Sequence, residues 1–230
     1  MRRKPPSPAP AAGQPGEGPV VGLRIIGGTL RGRRLQYSGD LRTRPMKDRV
    51  REAVFNLLGP GVKGSHAIDL FAGTGALGLE AISRGAVRAT LIERHLPTTR
   101  LIEQNAAALG VRGQVEVVFG DAFTWVRRWL AGGGRESIAD TTNHLDQRQP
   151  QLTPDPRQPW TIFCSPPYDF YAARQADMLA MLGRLVESGP PGSLFAVEAD
   201  ERFDFRQLPQ AGQWDLRTYL PAVVGILRKA

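Results

Sequence analysis

Three groups of residues in this 230-residue chain have types and spacings suited to chemistry. The first is Asp69-Leu70-Phe71-Ala72-Gly73-Thr74-Gly75-Ala76-Leu77-Gly78. An apolar run, Ala67–Phe71, reads as a short buried strand that ends in a glycine turn, and a helix opens at about Ala76. That order of strand, tight turn and helix N-terminus brings a ligand close to backbone N–H groups. The run Gly73–Gly78 also fits the dinucleotide pattern G-x-G-x-x-G, which by itself does not say which ligand is held. The second group is acidic. Glu93 ends the next strand, where a carboxylate can accept from both hydroxyls of a ribose. Asp121, followed by Ala122, ends the strand after that and could accept from an adenine amino group. The third is Ser165-Pro166-Pro167-Tyr168. Two prolines stiffen a bend after an apolar strand, aim the Pro166 carbonyl and Ser165 hydroxyl outward, and present the Tyr168 ring as a stacking face. Those parts suit the exocyclic amine of a planar base.

All three groups need strands that end on one rim of one sheet. The patterning supplies them. Strands are predicted at 67–71, 88–93, 114–119, 160–164 and 193–198, and helices at 76–84, 96–109, 123–130 and 172–186. The succession argues for an α/β fold with a parallel sheet and helices on both faces. A final antiparallel pair, 214–220 and 222–228 around Pro221, completes a seven-stranded mixed sheet. Upstream, residues 20–28 and 33–37 read as a β-hairpin about a Gly/Arg turn. A helix follows from Pro45, its stripe Val50, Val54, Leu57 and Leu58 facing a core, with Arg49 and Arg51 largely off that stripe. Three segments result: a Pro-rich basic tail at 1–19 expected to be disordered, a hairpin and helix at 20–62, and a domain at 63–230 carrying a polar insertion at 132–159.

The formal net charge is +8. Residues 1–50 hold 11 Lys/Arg against 3 Asp/Glu, and the remainder balances, so the whole excess lies at the N-terminus. Arg24, Arg31, Arg33, Arg34, Arg44, Arg49 and Arg51 there suit phosphate contacts, which points to nucleic acid rather than to a solvated face alone. No apolar run is long enough for a membrane span and no signal-peptide core follows Arg2-Arg3-Lys4. Cys164, the sole cysteine, excludes an intrachain disulfide and reads as core. A cytoplasmic location is expected. His66, His95 and His144 show no metal-ligand spacing, so no metal is expected.

Together, Asp69-x-x-x-Gly73-x-Gly75, Glu93, Asp121 and Ser165–Tyr168 resemble an S-adenosylmethionine-dependent amino-methyltransferase. The stretches Arg24-Ile-Ile-Gly-Gly28, Arg31-Gly-Arg-Arg-Leu35, Thr43-Arg-Pro-x-x-Asp-Arg-Val-Arg-Glu-Ala53 and Asp69–Ala81 narrow this. They resemble the RsmD family, bacterial methyltransferases that modify a guanine N2 in small-subunit ribosomal RNA. The resemblance is close over 23–93, clear at 160–171 and weak elsewhere. It implies a Rossmann-like class I methyltransferase fold, with S-adenosyl-L-methionine as cofactor. It implies that Asp69, Phe71, Ala72, Gly73, Thr74 and Gly75 form the cofactor pocket, that Glu93 holds the ribose and that Asp121 and Ala122 meet the adenine. Ser165, Pro166, Pro167 and Tyr168 would hold the target guanine. The partner would be 16S ribosomal RNA or the assembling small subunit, met by a monomer. The family usually carries Asp or Asn where this chain has Ser165, and a serine hydroxyl is a poor base.

On this reading, acceptors at Ser165 and Pro166 draw the amine toward a tetrahedral shape, and its freed lone pair attacks the methyl in line. The proton then leaves to water. Adenine-N6 or glutamine-N5 methylation, a nicotinamide-dependent oxidoreductase and a non-catalytic RNA-binding protein are the alternatives. The oxidoreductase leaves Ser165–Tyr168 and the basic N-terminus unexplained.

Overall fold

The computed structural model describes residues 22–39, 45–132, 154 and 157–230. The tail at 1–19, most of the insertion and Arg44 lie outside the described residues.

Seven strands form one mixed sheet: β1 His66–Asp69, β2 Arg88–Glu93, β3 Val115–Phe119, β4 Trp160–Cys164, β5 Leu194–Asp200, β6 Asp215–Tyr219 and β7 Ala222–Arg228. Their order across the sheet is β3-β2-β1-β4-β5-β7-β6. β1 to β5 are parallel, and β7 runs antiparallel to both β5 and β6. Six helices are α1 Asp48–Leu58, α2 Ala76–Ser83, α3 Leu96–Ala108, α4 Ala122–Leu130, α5 Phe170–Ala173 and α6 Gln175–Ser188. This is the Rossmann-like α/β arrangement expected from the alternating pattern.

The central strands β1, β2, β4 and β5 are buried on both faces, and alternate side chains serve two cores. Ala67, Leu91 and Phe163 face a core shared with Val54 of α1, Leu79 of α2 and Ile102 of α3. Ile68, Ile92 and Ile162 face a second core with Val126 of α4 and Met178 and Leu182 of α6. Strand order reverses between β1 and β4, which pair through His66↔Trp160 to Asp69↔Phe163. The carboxyl ends at such a switch point flank the crevice where ligands bind in doubly wound sheets. Here the glycine turn leaves β1 and the Ser-Pro-Pro-Tyr corner leaves β4, side by side.

The N-terminal segment departs from the expected hairpin. Only Arg24↔Arg34 forms a bridge, with Leu35 N donating to Leu23 O (2.8 Å) and Ile25 N to Arg33 O (2.9 Å). Gly32 N closes the turn on Ile25 O (2.8 Å), and other backbone donors turn to the neighbouring helices. Ile26 N and Gly27 N each give 2.7 Å hydrogen bonds to the Glu80 carboxylate. Leu30 N meets Ser83 Oγ at 2.9 Å, and Gln36 N meets Asn105 Oδ1 at 2.8 Å. Buried backbone groups must be paired, and here side chains of α2 and α3 pair them in place of a second strand. Gly28 sits at φ +75°, and a Cβ there would lie 1.9 Å from Ser83 O, so only glycine permits this approach.

Two helix boundaries also differ. α1 begins at Asp48, because Lys47 lies outside helical geometry (φ −57°, ψ 139°), and Met46 O accepts from Arg51 Nη1 (3.3 Å). The helix expected at 172–186 is two, α5 and α6, broken at Arg174 (φ −134°, ψ 32°). The Arg174 guanidinium lies 3.8 Å from the Phe123 ring centroid and bonds Asp177, and those contacts hold the break.

Candidate functional site

A cavity of about 550 Å³ opens at the carboxyl rim of the sheet. Its walls come from several loops and strand ends, five of which carry residues marked in the sequence or close its side, with Glu198 of β5 and the β6–β7 turn beside them. The β1–α2 turn supplies Phe71, Ala72, Gly73 and Thr74, and the end of β2 supplies Glu93. The β3–α4 junction supplies Asp121 and Ala122. The corner after β4 supplies Ser165, Pro166, Pro167 and Tyr168, and the N-terminal segment closes one side with Met46, Lys47 and Val50. The sheet thus brings eleven of the thirteen residues expected in cofactor or base binding to one space.

The other two, Asp69 and Gly75, do not line it. Asp69 is buried below the turn, where its Oδ2 accepts from Gly78 N at 3.2 Å. Gly75 caps α2 at φ +76°, and a Cβ there would press on Ile102 at 2.9 Å. Both shape the turn from beneath. Gly73, at φ +51°, does face the cavity, and a Cβ there would meet nothing closer than Phe71 O at 3.9 Å. The backbone is bare where a ligand must approach.

The acidic groups are held in acceptor geometry. Glu93 Oε2 receives Gly73 N and Oε1 receives His95 N, both at 2.8 Å. Each oxygen keeps a lone pair for a vicinal hydroxyl. Asp121 is the N-cap of α4, Oδ1 receiving Thr124 N at 2.9 Å, while Oδ2 lies 3.6 Å from Arg174 Nη1. Apolar surface comes from Leu70, Phe71, Ile92 and Phe170, with the Phe71 and Phe170 rings edge-on at 5.9 Å. Two cavity-lining carboxylates, an apolar slot and an uncovered glycine backbone fit an adenosyl group.

Burial first, then the nearby Glu93 charge, pushes the Asp69 carboxyl up to about 7, against the bonds from Gly78 and Phe71 N–H. Its Oδ1 has no hydrogen-bond partner among the described residues. A folded-state value above the unfolded 3.8 means that the native protein holds this proton more tightly. Stability from this group is therefore complete below pH 3.8 and lost as the pH rises through 7. Asp69→Asn does not titrate, so its stability relative to wild type should rise across that window. Three pH units bound the rise at about 4 kcal/mol, and water in the adjacent cavity reduces the expectation to about 2 kcal/mol. Urea unfolding at pH 4 and pH 8 reads it directly; a difference that does not change with pH refutes it.

At the other end, Ser165 Oγ donates to Glu198 Oε2 and Tyr168 Oη donates to Glu198 Oε1 at 2.9 Å. Glu198, on β5, is 8% exposed and lines the cavity. It escaped the sequence reading because nothing local marks it. The available signal was its place at the carboxyl end of the strand after Ser165, which matters only once Cys164 pairs with Val197.

Among the expected RNA-contacting arginines, Arg24, Arg31, Arg33, Arg34 and Arg49 are exposed. Arg24 pairs with Asp48 at 3.3 Å, and Arg33 Nη2 donates to Ala108 O at 2.8 Å. Arg51 is a correction. It is 0% exposed, donating through Nη2 to Arg24 O (2.6 Å) and Asp48 Oδ1 (3.0 Å). A fully enclosed guanidinium committed to internal partners cannot grip a phosphate. Cys164 is core, as expected, and burial pushes its thiol up to about 12. No helix among the described residues is long and apolar enough to cross a membrane.

Comparison with known proteins gives the chain a family. Residues 23–138 match the model of the family Conserved hypothetical protein 95. The chain is 44% identical over 104 residues to Ribosomal RNA small subunit methyltransferase D of Escherichia coli (strain K12), covering 45% of this chain and 52% of that protein. It is 29% identical over 180 residues to the protein of the same name from Haemophilus influenzae, covering 78% and 79%. A match of 36% identity links it to "Putative rRNA methyltransferase YlbH" of Bacillus subtilis, over 44% of this chain and 54% of that one. The chain thus spans about half the length of the Escherichia coli and Bacillus subtilis relatives. Among solved structures, "Putative methyltransferase yhhF from Escherichia coli" superposes with a TM-score of 0.64 at 28% identity, covering 90% of this chain and 98% of that one. The matched residues hold the arginine-rich segment, the glycine turn, Glu93 and Asp121, and on that basis the chain belongs to the Conserved hypothetical protein 95 family, the RsmD family.

Proposed function

We propose that this protein is an S-adenosylmethionine-dependent methyltransferase acting on the exocyclic N2 of a guanine in 16S ribosomal RNA. The observation that carries the reading is the shared cavity. A ribose-binding carboxylate on a glycine turn and a Pro-Pro-Tyr corner face one space across the switch point. The names of the relatives support the chemistry and the RNA class. A cytoplasmic monomer working on free RNA or on an assembling small subunit is the simplest setting for it.

When bound, S-adenosylmethionine supplies a methyl group on a sulfonium, open to attack by a nitrogen lone pair. The residues here do the positioning. Glu93 fixes the ribose through paired acceptors, Asp121 meets the adenine edge, and Phe71 and Phe170 wall the slot. The bare backbone at Gly73 lets the ligand lie close. The Ser165–Tyr168 corner receives the extruded base: Pro166 and Ser165 accept from its amine, and the Tyr168 ring takes over the stacking lost from the RNA. Orientation of amine and methyl in one dry space supplies most of the acceleration. Arg31, Arg34 and Arg49 hold RNA phosphates outside, so binding weakens with salt.

The test is mass spectrometry of 16S ribosomal RNA from cells lacking the gene. One N2-methylguanosine should disappear and return with a plasmid copy. An unchanged inventory of modified nucleosides refutes the reading. Calorimetry with S-adenosylhomocysteine and NAD, in which only the former should bind, rejects the oxidoreductase alternative.

A further inference from the structure

The Ser-Pro-Pro-Tyr corner has a serine where the proton of a methylated amine would need somewhere to go. Serine offers an acceptor but no base. The structure shows what its hydroxyl does instead: it donates to Glu198 Oε2, while Tyr168 Oη donates to Oε1. Two side chains of the base-binding corner thus converge on one carboxylate from the neighbouring strand. That carboxylate is 8% exposed and lines the cavity. It enters no ion pair among the described residues. A buried carboxylate held only by two neutral hydroxyls keeps most of its charge uncompensated, and each oxygen retains a lone pair. Facing the cavity, it is poised for a donor that the protein itself does not provide.

We propose that Glu198 is the anionic acceptor for the target amine, the role that Ser165 cannot fill. This rests on the functional reading above. Glu198 takes one amine N–H as a hydrogen bond and so localises the nitrogen lone pair for attack. As the N–C bond forms, the methyl carbon–sulfur bond breaks and its electron pair stays on sulfur. The nitrogen becomes cationic, the carboxylate stabilises that charge across a dry gap, and the surplus proton passes from nitrogen to Glu198 and on to water. Ser165 and Tyr168 are then positioning residues for Glu198 as well as contacts for the base.

Four proteins test this: wild type, Glu198→Gln, Glu198→Ala, and Glu198→Ala combined with Ser165→Asp. Each is assayed on small subunits from cells lacking the gene and titrated with S-adenosylhomocysteine by calorimetry. Glu198→Gln should lower kcat on the order of 100-fold and leave the KM for RNA and the S-adenosylhomocysteine affinity within about twofold, since Glu93 and Asp121 are untouched. Moving the carboxylate to position 165 in the double variant should recover at least about tenfold over Glu198→Ala alone, which a purely structural role for Glu198 would not produce. Glu198→Gln turning over at the wild-type rate overturns the assignment. So does a fall in S-adenosylhomocysteine affinity parallel to the fall in rate, because Glu198 would then be supporting the fold. A wild-type protein that binds S-adenosylhomocysteine but methylates no RNA refutes the functional reading instead.

Discussion

Tyr168→Ala should lower kcat/KM for RNA methylation on the order of 10²–10³-fold while leaving S-adenosylhomocysteine affinity within about twofold. Two losses add. The ring is the flat face at the mouth of the corner, and stacking one base on an aromatic ring contributes about 1–3 kcal/mol. Its Oη is also one of the two donors holding Glu198, at 2.9 Å, and a hydrogen bond to a charged group contributes about 1.5–3 kcal/mol. Tyr168→Phe separates them. It keeps the ring and drops only the donor, so its loss should be on the order of 10- to 100-fold. The proposed cofactor end is insulated, because Glu93 and its donors Gly73 N and His95 N lie at the end of β2, in the β1–α2 turn and at the N-cap of α3. Steady-state kinetics on subunits from the deletion strain give the numbers. Wild-type turnover by Tyr168→Ala would remove the corner from base recognition.

Glu80→Gln should destabilise the protein by about 3–5 kcal/mol, the usual cost of breaking a buried ion pair from one side. Glu80 is fully buried on α2. Its carboxylate receives Ile26 N and Gly27 N at 2.7 Å and Arg84 Nε at 2.9 Å, and Arg51 Nε lies 3.9 Å away. The last separation is too long for a hydrogen bond, so that attraction is coulombic. Burial lowers the pKa of Arg51, with Asp48 and Glu80 opposing it, so these anions compensate the enclosed charge. Glutamine turns an amide N–H toward donors already present and leaves Arg51 short of compensation. The N-terminal segment hangs from this carboxylate, so residues 22–36 should also become sensitive to limited proteolysis. Urea denaturation measures the stability loss. A change below about 0.5 kcal/mol would show that other contacts dock the segment.

What was legible in the chain was local. The glycine turn, the first helix after it and Glu93 lie in one β-α-β unit, where chain order and spatial order coincide. Short apolar runs ending in glycine or acid therefore marked Phe71–Thr74 and Glu93, which line one cavity, while Asp69 and Gly75 lie beneath the turn. Asp121 followed from the same rule one strand later. The parallel sheet and its two helical faces followed from alternation alone.

The tertiary structure decided the rest. The helical stripe of α1 placed Arg51 off its apolar face, yet Arg51 is enclosed because the N-terminal segment folds over it and Glu80 waits beneath. Periodicity within one helix carries no trace of a partner 29 positions away. The expected hairpin shrank to one bridge because its backbone donors found carboxylate, hydroxyl and amide acceptors on α2 and α3. Glu198 was invisible because its meaning depends on register. It lies beside Ser165 only because β4 and β5 pair Cys164 with Val197. By itself the sequence determined one wall of the cavity, the proposed seat of the methyl donor, because that wall is built from neighbours along the chain. The acceptor side joins β4, β5 and the N-terminal segment, which are far apart in the chain, and hydrogen-bond register and buried charge pairing in three dimensions decided it.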